Sequence, residues 1–220
     1  MEDRITPFLY LELADAAPEQ YATSRVEQVL RSPGAERASW WRNLNPHRKD
    51  FEPDFNFSVP EFATLGVYEV QDGFVPPRAT ADVRGLHFRH YPRPGQGILS
   101  GESTLGLMLV LISPREEAGA QALRDWGDFI HLPPLAVGDL GFSMITPYEN
   151  LTGGSPRFMH FYETLSSDAE AALQAEVSEV PKWYGGVDTE AYRRWQVHDQ
   201  LVVDYVNTFE RVGQSLADRN

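Results

Sequence analysis

Two short segments carry side chains that could move protons. His131 ends a run with the spacing of a helix, and His160 and Tyr162 stand two residues apart in a run that alternates like a strand. Because residues i and i+2 of a strand point to one face, this imidazole and this phenol would face the same space. A histidine titrates near neutral pH, and a tyrosine hydroxyl can donate to a developing oxyanion. The pattern predicts acid/base chemistry with His131, His160 and Tyr162 as the catalytic residues.

The direction in which these side chains point is a further expectation. Met159 and Phe161 alternate with them along the same segment. We expect Met159 and Phe161 to face helices, so that His160 and Tyr162 point into a barrel. His131 is expected at a helix C-terminus, where the helix dipole favours the protonated ring. The alternatives are structural: a hydrogen-bonded core pair for His160 and Tyr162, and a helix cap for His131.

Four more residues are candidates for binding a substrate. Trp126 lies about one helical turn before His131 and is a pocket wall or a core residue. Tyr148 ends a predicted strand and either lines the same pocket or packs half-buried. Asn207 is an amide within an apolar strand, so it belongs to a buried hydrogen-bond network or contacts a ligand. His87 is expected on the inner face of the first sheet.

Metals and cofactors are not predicted. The chain has no cysteine, which excludes thiolate ligands, thiolate nucleophiles and disulfides. His87 and His90 stand three residues apart on a predicted strand, and this spacing places them on opposite faces, where they cannot share a metal. No phosphate loop, dinucleotide fingerprint, nucleophile elbow or His-Glu-x-x-His motif occurs in the sequence.

The elements predicted to position these residues follow a similar order twice. Apolar alternation indicates strands, 3.6-residue spacing indicates helices, and proline and glycine clusters mark turns. In the first half the predicted elements are a strand at 7–13, a helix at 19–30, an irregular loop at 43–60, and strands near 38–41, 62–70 and 83–91. In the second half they are strands at 105–112, 141–148, 157–165 and 201–209, and helices at 115–130, 169–180 and 189–195.

This repeated order indicates an α+β fold of two ferredoxin-like βαββαβ halves, whose sheets could cover each other within one chain. The predicted halves are residues 1–95, which are degenerate and interrupted by the loop, and residues 96–220, which are more complete and expected to be active. The first half has no second helix, and Val29-Leu30-Arg31 stands where the second half has its helix-end histidine. We therefore expect one working pocket.

Two segments resemble the dimeric α/β-barrel superfamily, and within it the EthD-like and muconolactone-isomerase-like branches. Trp126 to Pro133, ending in His-Leu-Pro, is similar to the end of the first helix in those proteins, and Ser32 to Ala38 is similar to the turn into the next strand. The similarity covers most of residues 105–180 and, weakly, residues 5–91. The resemblance implies that the two halves form an intramolecular dimeric α/β barrel. The superfamily includes isomerases, polyketide cyclases, cofactor-free monooxygenases, dehydratases and haem enzymes, and fold does not choose among them.

Composition and charge limit the expected partners. The formal net charge of −13 repels phosphate backbones and anionic lipid, so nucleic acid and membrane partners are not expected. The N-terminus lacks a secretory signal pattern, and the longest apolar run, Leu105 to Ile112, is too short to cross a bilayer. A cytoplasmic location is therefore expected. The expected partner is a small-molecule substrate, and a homodimer is left open.

These observations lead to one functional hypothesis and two rivals. The first is a cofactor-free acid/base enzyme of lyase, isomerase or cyclase type that acts on a small, mainly apolar organic molecule. The second, which follows from the resemblance, is a haem- or oxygen-using oxidoreductase of the same superfamily. The third is a non-catalytic small-molecule-binding or assembly protein, in which the inner sheet faces would be filled with side chains and leave no cavity.

Overall fold

The computed structural model describes residues 5–46, 48, 57–91, 96–99 and 101–217. The first side of the predicted boundary, residue 95, and part of the predicted 43–60 loop fall on residues outside this description. The strands are β1 (Phe8–Ala14), β2 (Ala35–Asn43), β3 (Thr64–Val70), β4 (Val83–His90), β5 (Gln96–Gly97), β6 (Gly106–Pro114), β7 (Phe142–Asn150), β8 (Phe158–Thr164) and β9 (Leu201–Leu216). The helices are α1 (Pro18–Tyr21), α2 (Glu27–Leu30), α3 (Ala120–Trp126), α4 (Leu132–Val137), α5 (Ala169–Trp183) and α6 (Glu190–Gln196).

Eight of these strands close into an antiparallel barrel. Their order is β4-β1-β3-β2-β9-β6-β8-β7, and β7 pairs back with β4, while the short β5 also pairs with β7. The first strand set, β1 to β4, has the internal order 4-1-3-2, and the second strand set, β6 to β9, has the same order counted from its own first strand. The predicted α+β class is confirmed.

The barrel interior is filled by side chains that alternate along the strands. One cluster of buried residues draws on all eight barrel strands, so it can lie only inside the barrel. Burying each large apolar side chain contributes roughly 1.5–3 kcal/mol, so this cluster is a principal source of stability. The strand residues in it are Leu9, Leu11, Leu13, Trp41, Leu65, Val67, Leu86, Phe88, Leu107, Leu109, Leu111, Tyr148, Met159, Phe161, Tyr205 and Phe209.

Helices cover the outer faces of both strand sets. α1 and α2, with the helical segment between them, place Tyr21 and Val29 against Tyr10 and Tyr68 on the outer face of β1 and β3. α4 to α6 cover the outer face of β6, β8 and β9 in a separate cluster, and α3 packs on β6 and β8 in another. Residues 71–82, between β3 and β4, form turns and no helix, as predicted. No helix in the described ranges is long and apolar enough to cross a membrane.

The helix that carries His131 continues past it. The π-helical segment Gly127–His131 joins α3 directly to α4, and a corresponding π-helical segment, Ala22–Val26, joins α1 to α2. Prolines occupy the first positions of α4, where a missing N–H breaks no helical hydrogen bond, so Pro133 and Pro134 extend the helical path instead of closing it. The prediction that His131 ends a helix is therefore wrong, and the dipole argument for its protonation no longer applies.

Candidate active site

A cavity of about 280 Å³ lies between the outer face of β6, β8 and β9 and the helices α3 to α6. Most of its wall is aliphatic or aromatic. The polar side chains at its surface include His131, His160, Tyr162, Glu176 and Gln196. No lysine or arginine occurs among the described residues that line it. The two segments singled out in the sequence therefore meet at one hollow, but this hollow lies outside the barrel.

The strand β8 presents its faces in the opposite sense to the prediction. Met159 and Phe161 belong to the barrel-interior cluster, whereas His160 and Tyr162 line the outer cavity. The expected orientation is thus wrong. All seven residues of β8 are buried, because one face is covered by the barrel and the other by helices. With no solvent-exposed face, the hydrophobic alternation of the sequence could not show which side was which.

His160 projects from the middle of β8 and is 3% exposed. Its ring lies against the helical backbone, since a Cβ atom on Gly127 would be 3.3 Å from its Cε1 atom. Within the described residues its imidazole makes no hydrogen bond. Burial lowers the pKa of His160 to about 3, and the charge of His131 acts in the same direction. At neutral pH this imidazole is uncharged, with one nitrogen able to donate and one able to accept.

Tyr162 adds a hydroxyl to the same wall. Its ring centroid lies 6.5 Å from that of His160, and the residue is 1% exposed. In the part of the chain described, its hydroxyl has no hydrogen-bond partner. Burial raises the pKa of Tyr162 well above its ordinary value, and the charge of Glu176 raises it further. The hydroxyl therefore remains a proton donor throughout the physiological range.

Glu176 is the functional candidate that the sequence analysis missed. It projects from α5 into the cavity, and its Oε2 atom is buried without a hydrogen-bond partner. Burial raises the pKa of the Glu176 carboxyl to about 8, so this group exchanges its proton close to neutral pH. The available signal was its position three residues after Leu173 and four before Val180, which puts a carboxyl on the buried face of the helix.

His131 lines the cavity in a different way. Its ring is stacked between two indoles, with centroid distances of 4.9 Å to Trp126 and 4.8 Å to Trp195. Its Nδ1 atom lies 3.2 Å from the Trp195 carbonyl oxygen. Burial lowers the pKa of His131 to about 4, although the hydrogen bond to Trp195 opposes this shift. Trp126 was predicted to be either a pocket wall or a core residue, and it lies in the cavity wall.

Tyr148 and Asn207 lie away from this cavity. Tyr148 is in the barrel interior, where its hydroxyl donates to the Thr6 carbonyl at 3.0 Å. Asn207 is fully buried in a polar network: its Oδ1 accepts from Arg48 Nε at 3.2 Å, and its Nδ2 donates to the Asn45 carbonyl at 2.8 Å. The sequence left Tyr148 as a pocket or packing residue and Asn207 as a network member or a ligand contact. The structure places both in the packed interior.

His87 and His90 occupy opposite faces of β4. His87 packs edge-on against Tyr10 and Phe74, on the helix-covered outer face of the first strand set, and not on the inner face where it was expected. His90 instead packs against Tyr148, a residue of the barrel interior. The two imidazoles therefore point away from each other.

The cavity does not fit a haem. Its volume is at or below the small end of the roughly 300–1,000 Å³ typical of ligand pockets. A haem also carries two carboxylates, and the described lining offers them no cationic partner. Among the described residues, no three histidine, aspartate or glutamate side chains come together in a way that could hold a metal ion.

No protein-family model matches the sequence, and no curated protein matches it either. Among solved structures, a "putative monooxygenase" from Lactobacillus acidophilus is 9% identical over 97% of both chains, with a TM-score of 0.49. A "putative monooxygenase" from Fusobacterium nucleatum subsp. nucleatum is 8% identical over 98% of this chain and 99% of its own, with a TM-score of 0.47. A chlorite dismutase variant from Candidatus Nitrospira defluvii is 11% identical over 94% of this chain and 92% of its own, with a TM-score of 0.42. At these identities and scores the similarities assign no activity to this chain.

Proposed function

We propose that this protein is a cofactor-free acid/base enzyme, of lyase, isomerase or cyclase type, acting on a small and mainly apolar organic molecule held in the outer cavity. One observation carries the proposal: the imidazole of His160, the hydroxyl of Tyr162 and the carboxyl of Glu176 line one apolar cavity. Oε2 of Glu176 is buried without a partner, and the described chain provides no hydrogen bond to the His160 ring or the Tyr162 hydroxyl. Buried polar groups are normally paired, so a site that leaves three unpaired is suited to a ligand that pairs them.

Glu176 is the group best suited to move the proton. A general acid or base works best when its pKa lies near the operating pH, and the pKa of Glu176 is raised to about 8. The lowered pKa values of His131 and His160 make them weak bases at neutral pH. His160 N–H and Tyr162 O–H then serve as neutral donors that hold an oxygen of the ligand as negative charge develops on it.

The lining also defines the charge of the ligand. An anionic ligand would find no cation in the described wall and would face Glu176. Neutral donors and an apolar surround favour a molecule with a hydrocarbon body and one carbonyl or hydroxyl oxygen. The volume of about 280 Å³ suits a molecule of one or two rings.

We further propose that the two strand sets are the ferredoxin-like halves of one dimeric α/β barrel, of the EthD-like branch. The support is the identical internal strand order of β1 to β4 and β6 to β9, and the helical segment that follows the first strand of each set. The halves would be residues 1–95 and 96–220, with the active cavity in the second.

Proton transfer can be tested with acetophenone, a neutral aryl ketone of suitable size. In the proposed step the Glu176 carboxylate takes a methyl proton, and the C–H electron pair moves to the carbonyl oxygen, which His160 and Tyr162 stabilise. NMR in D₂O should show exchange of the methyl protons above the buffer rate, increasing as pH rises through about 8 and levelling off above it. Glu176→Gln should slow this exchange by about 10²- to 10⁴-fold.

Glu179→Gln is the matched control, because it makes the same change on the same helix at a carboxylate that pairs with Lys182 and lies outside the cavity. It should exchange acetophenone protons at the wild-type rate. Binding of acetophenone without any exchange above buffer would favour a non-catalytic binding protein. An equal loss in both variants would remove Glu176 from its proposed role.

A further inference from the structure

We propose that His131 is a positioning residue that holds α6 in place as a movable wall of the cavity. The contact between His131 and α6 is called the latch below. The inference rests on the proposed function only in taking this cavity as the working site. α6 supplies Tyr192, Trp195 and Gln196 to the lining. The position of this one short helix therefore determines both the shape of the cavity and access to it.

Three hydrogen bonds join α6 to the helical segment around His131. The Trp195 indole donates from Nε1 to the His131 carbonyl at 3.0 Å, and His131 Nδ1 lies 3.2 Å from the Trp195 carbonyl. The Trp126 indole donates from Nε1 to the Arg194 carbonyl at 2.9 Å. His131 and Trp195 thus bind each other reciprocally, each through its ring and its backbone carbonyl.

Ring stacking strengthens the same contact. The His131 ring lies between the Trp126 and Trp195 indoles at interplanar angles of 28° and 20°. Tyr184 covers the far side of Trp195, with a centroid distance of 5.9 Å and an angle of 23°. The imidazole therefore has both faces covered and one nitrogen engaged, which suits a structural contact better than reaction with a ligand.

Besides the apolar packing of Tyr192 and Trp195, few hydrogen bonds hold α6 to the fold. In the ranges that the structure describes, every hydrogen bond from Glu190–Gln196 to another helix or strand goes to α3 or the His131 segment. On its N-terminal side, α6 is joined to α5 by a turn in which Gly185 and Gly186 have φ values of 83° and 119°, a conformation that favours glycine. Loss of the latch should thus release α6 locally and leave the barrel closed.

A single-cysteine reporter can measure this opening directly. Because the chain has no cysteine, Met108→Cys places one thiol on the cavity wall, at a position 2% exposed. Iodoacetamide, a small neutral reagent, then modifies the thiol only when the cavity is open, and its rate reports the open fraction. Hydrogen exchange of β1 and β6 amides in the same samples reports global opening.

In this background, His131→Ala should raise the modification rate by about 10- to 100-fold, because it removes one hydrogen bond and two ring contacts. His131→Phe keeps the stacking and loses the hydrogen bond, so its rate should rise by only a few-fold. Phe129→Ala is the matched control, since Phe129 lies in the same π-helical segment and is 69% exposed. Its modification rate should equal that of the reporter.

Unchanged modification in the His131→Ala chain would overturn the latch, and so would an equal rise in the exchange of β1 and β6 amides, which would mean general unfolding. His131→Phe answers the same question if the alanine variant does not fold: a rate equal to the reporter's would also overturn it. The latch and the proposed function fail separately. Thiol modification involves no turnover, and acetophenone exchange can be lost while α6 stays latched.

Discussion

The two sheet–helix interfaces of this barrel differ in how a carboxylate between sheet and helix is paired. Beneath α1 and α2, Glu12 is fully buried and forms an ion pair with Arg25 at 2.6 Å. Beneath α5, Glu176 reaches the cavity with no cation in the described lining and one oxygen buried without a partner. The strand order is the same on both sides. The chemistry of each interface is therefore determined by side chains and not by topology.

In the first interface a complete hydrogen-bond network surrounds the Glu12 carboxylate. The hydroxyls of Tyr10 and Tyr21 donate to Glu12 at 3.1 and 2.9 Å, and those of Tyr21 and Tyr68 lie 2.5 Å apart. Arg25 donates its remaining protons to Gln28 and to backbone carbonyls. This network pairs each of its charged members, so it stabilises the fold and leaves Glu12 no free group to offer a ligand. Among the described residues of this face, His87 Nε2 is buried without a partner, but it stands outside the network.

Around the cavity of the second interface, His160, Tyr162 and Glu176 have no hydrogen-bond partner in the described chain, whereas His131 is paired with Trp195. Such an arrangement costs stability, because a desolvated donor or acceptor without a partner is unfavourable by about 1–3 kcal/mol. Functional sites tolerate this cost, and perturbed pKa values cluster in them. The contrast between a completed network and an incomplete one is the physical basis for placing the site in the second strand set.

Breaking the first network should have the largest effect on stability. Arg25→Met leaves Glu12 buried without its cation, and removal of one partner from such a pair typically costs about 3–5 kcal/mol. Urea denaturation should show this loss in the free energy of unfolding. Arg31→Met is the control, since Arg31 forms an ion pair with Glu27 that is exposed on both sides and should change stability little. Equal effects of the two substitutions would contradict the comparison.

The unpaired carboxyl should appear in the pH dependence of stability. Glu176 keeps its proton up to about pH 8 when folded but loses it near pH 4.5 when unfolded, so it makes unfolding easier as pH rises between these values. His131 and His160 act oppositely below pH 6.5, because only the unfolded chain protonates them there. Stability should therefore peak near pH 6.5.

From pH 6.5 to pH 8 the free energy of unfolding should fall by as much as about 2 kcal/mol, given about 1.4 kcal/mol per unit. Urea denaturation across this range measures the slope. Glu176→Gln should flatten it, while Glu179→Gln should leave it unchanged. A wild-type curve that is flat above pH 6.5 would show that Glu176 titrates normally and is not held neutral.

The smallest effect on stability should come from a change that disturbs only the cavity. In Gly127→Ala the new Cβ would lie 3.3 Å from His160 Cε1, so the imidazole must shift by a few tenths of an ångström. Alanine favours the helical backbone by roughly 0.5–1 kcal/mol over glycine, so the net change in stability should stay within about 1 kcal/mol. Acetophenone proton exchange should nevertheless fall, and wild-type exchange would show that His160 needs no fixed position.

The sequence was sufficient for most of the framework. Alternation and turn residues predicted eight of the strands and the helix at α5, whose N-cap Asp168 accepts from the Ala171 amide at 3.0 Å. The sequence could not show which face of β8 points into the barrel, because both sides of that strand are buried. The prolines after His131 were misinterpreted as a stop, since the same residues are also favourable in the first turn of a helix.

Part of the candidate site was also predictable from the sequence. His160, Tyr162 and His131 were found because their residue types suggest proton transfer, and they do line one cavity. Glu176 was missed because glutamate is common on helices and usually faces water. Only its position between Leu173 and Val180 on the buried face distinguished it. Whether a polar residue is paired depends on contacts between distant segments, which no local pattern contains.

The most direct test of the account is an NMR titration of the protein with acetophenone, with the perturbed resonances assigned to residues. We expect the largest shifts at His160, Tyr162 and Glu176, and none at Glu12 or Arg25. Shifts centred on the first interface or on the barrel interior would contradict the assignment of the second interface as the site, and so would the absence of any shift at the cavity at saturating acetophenone.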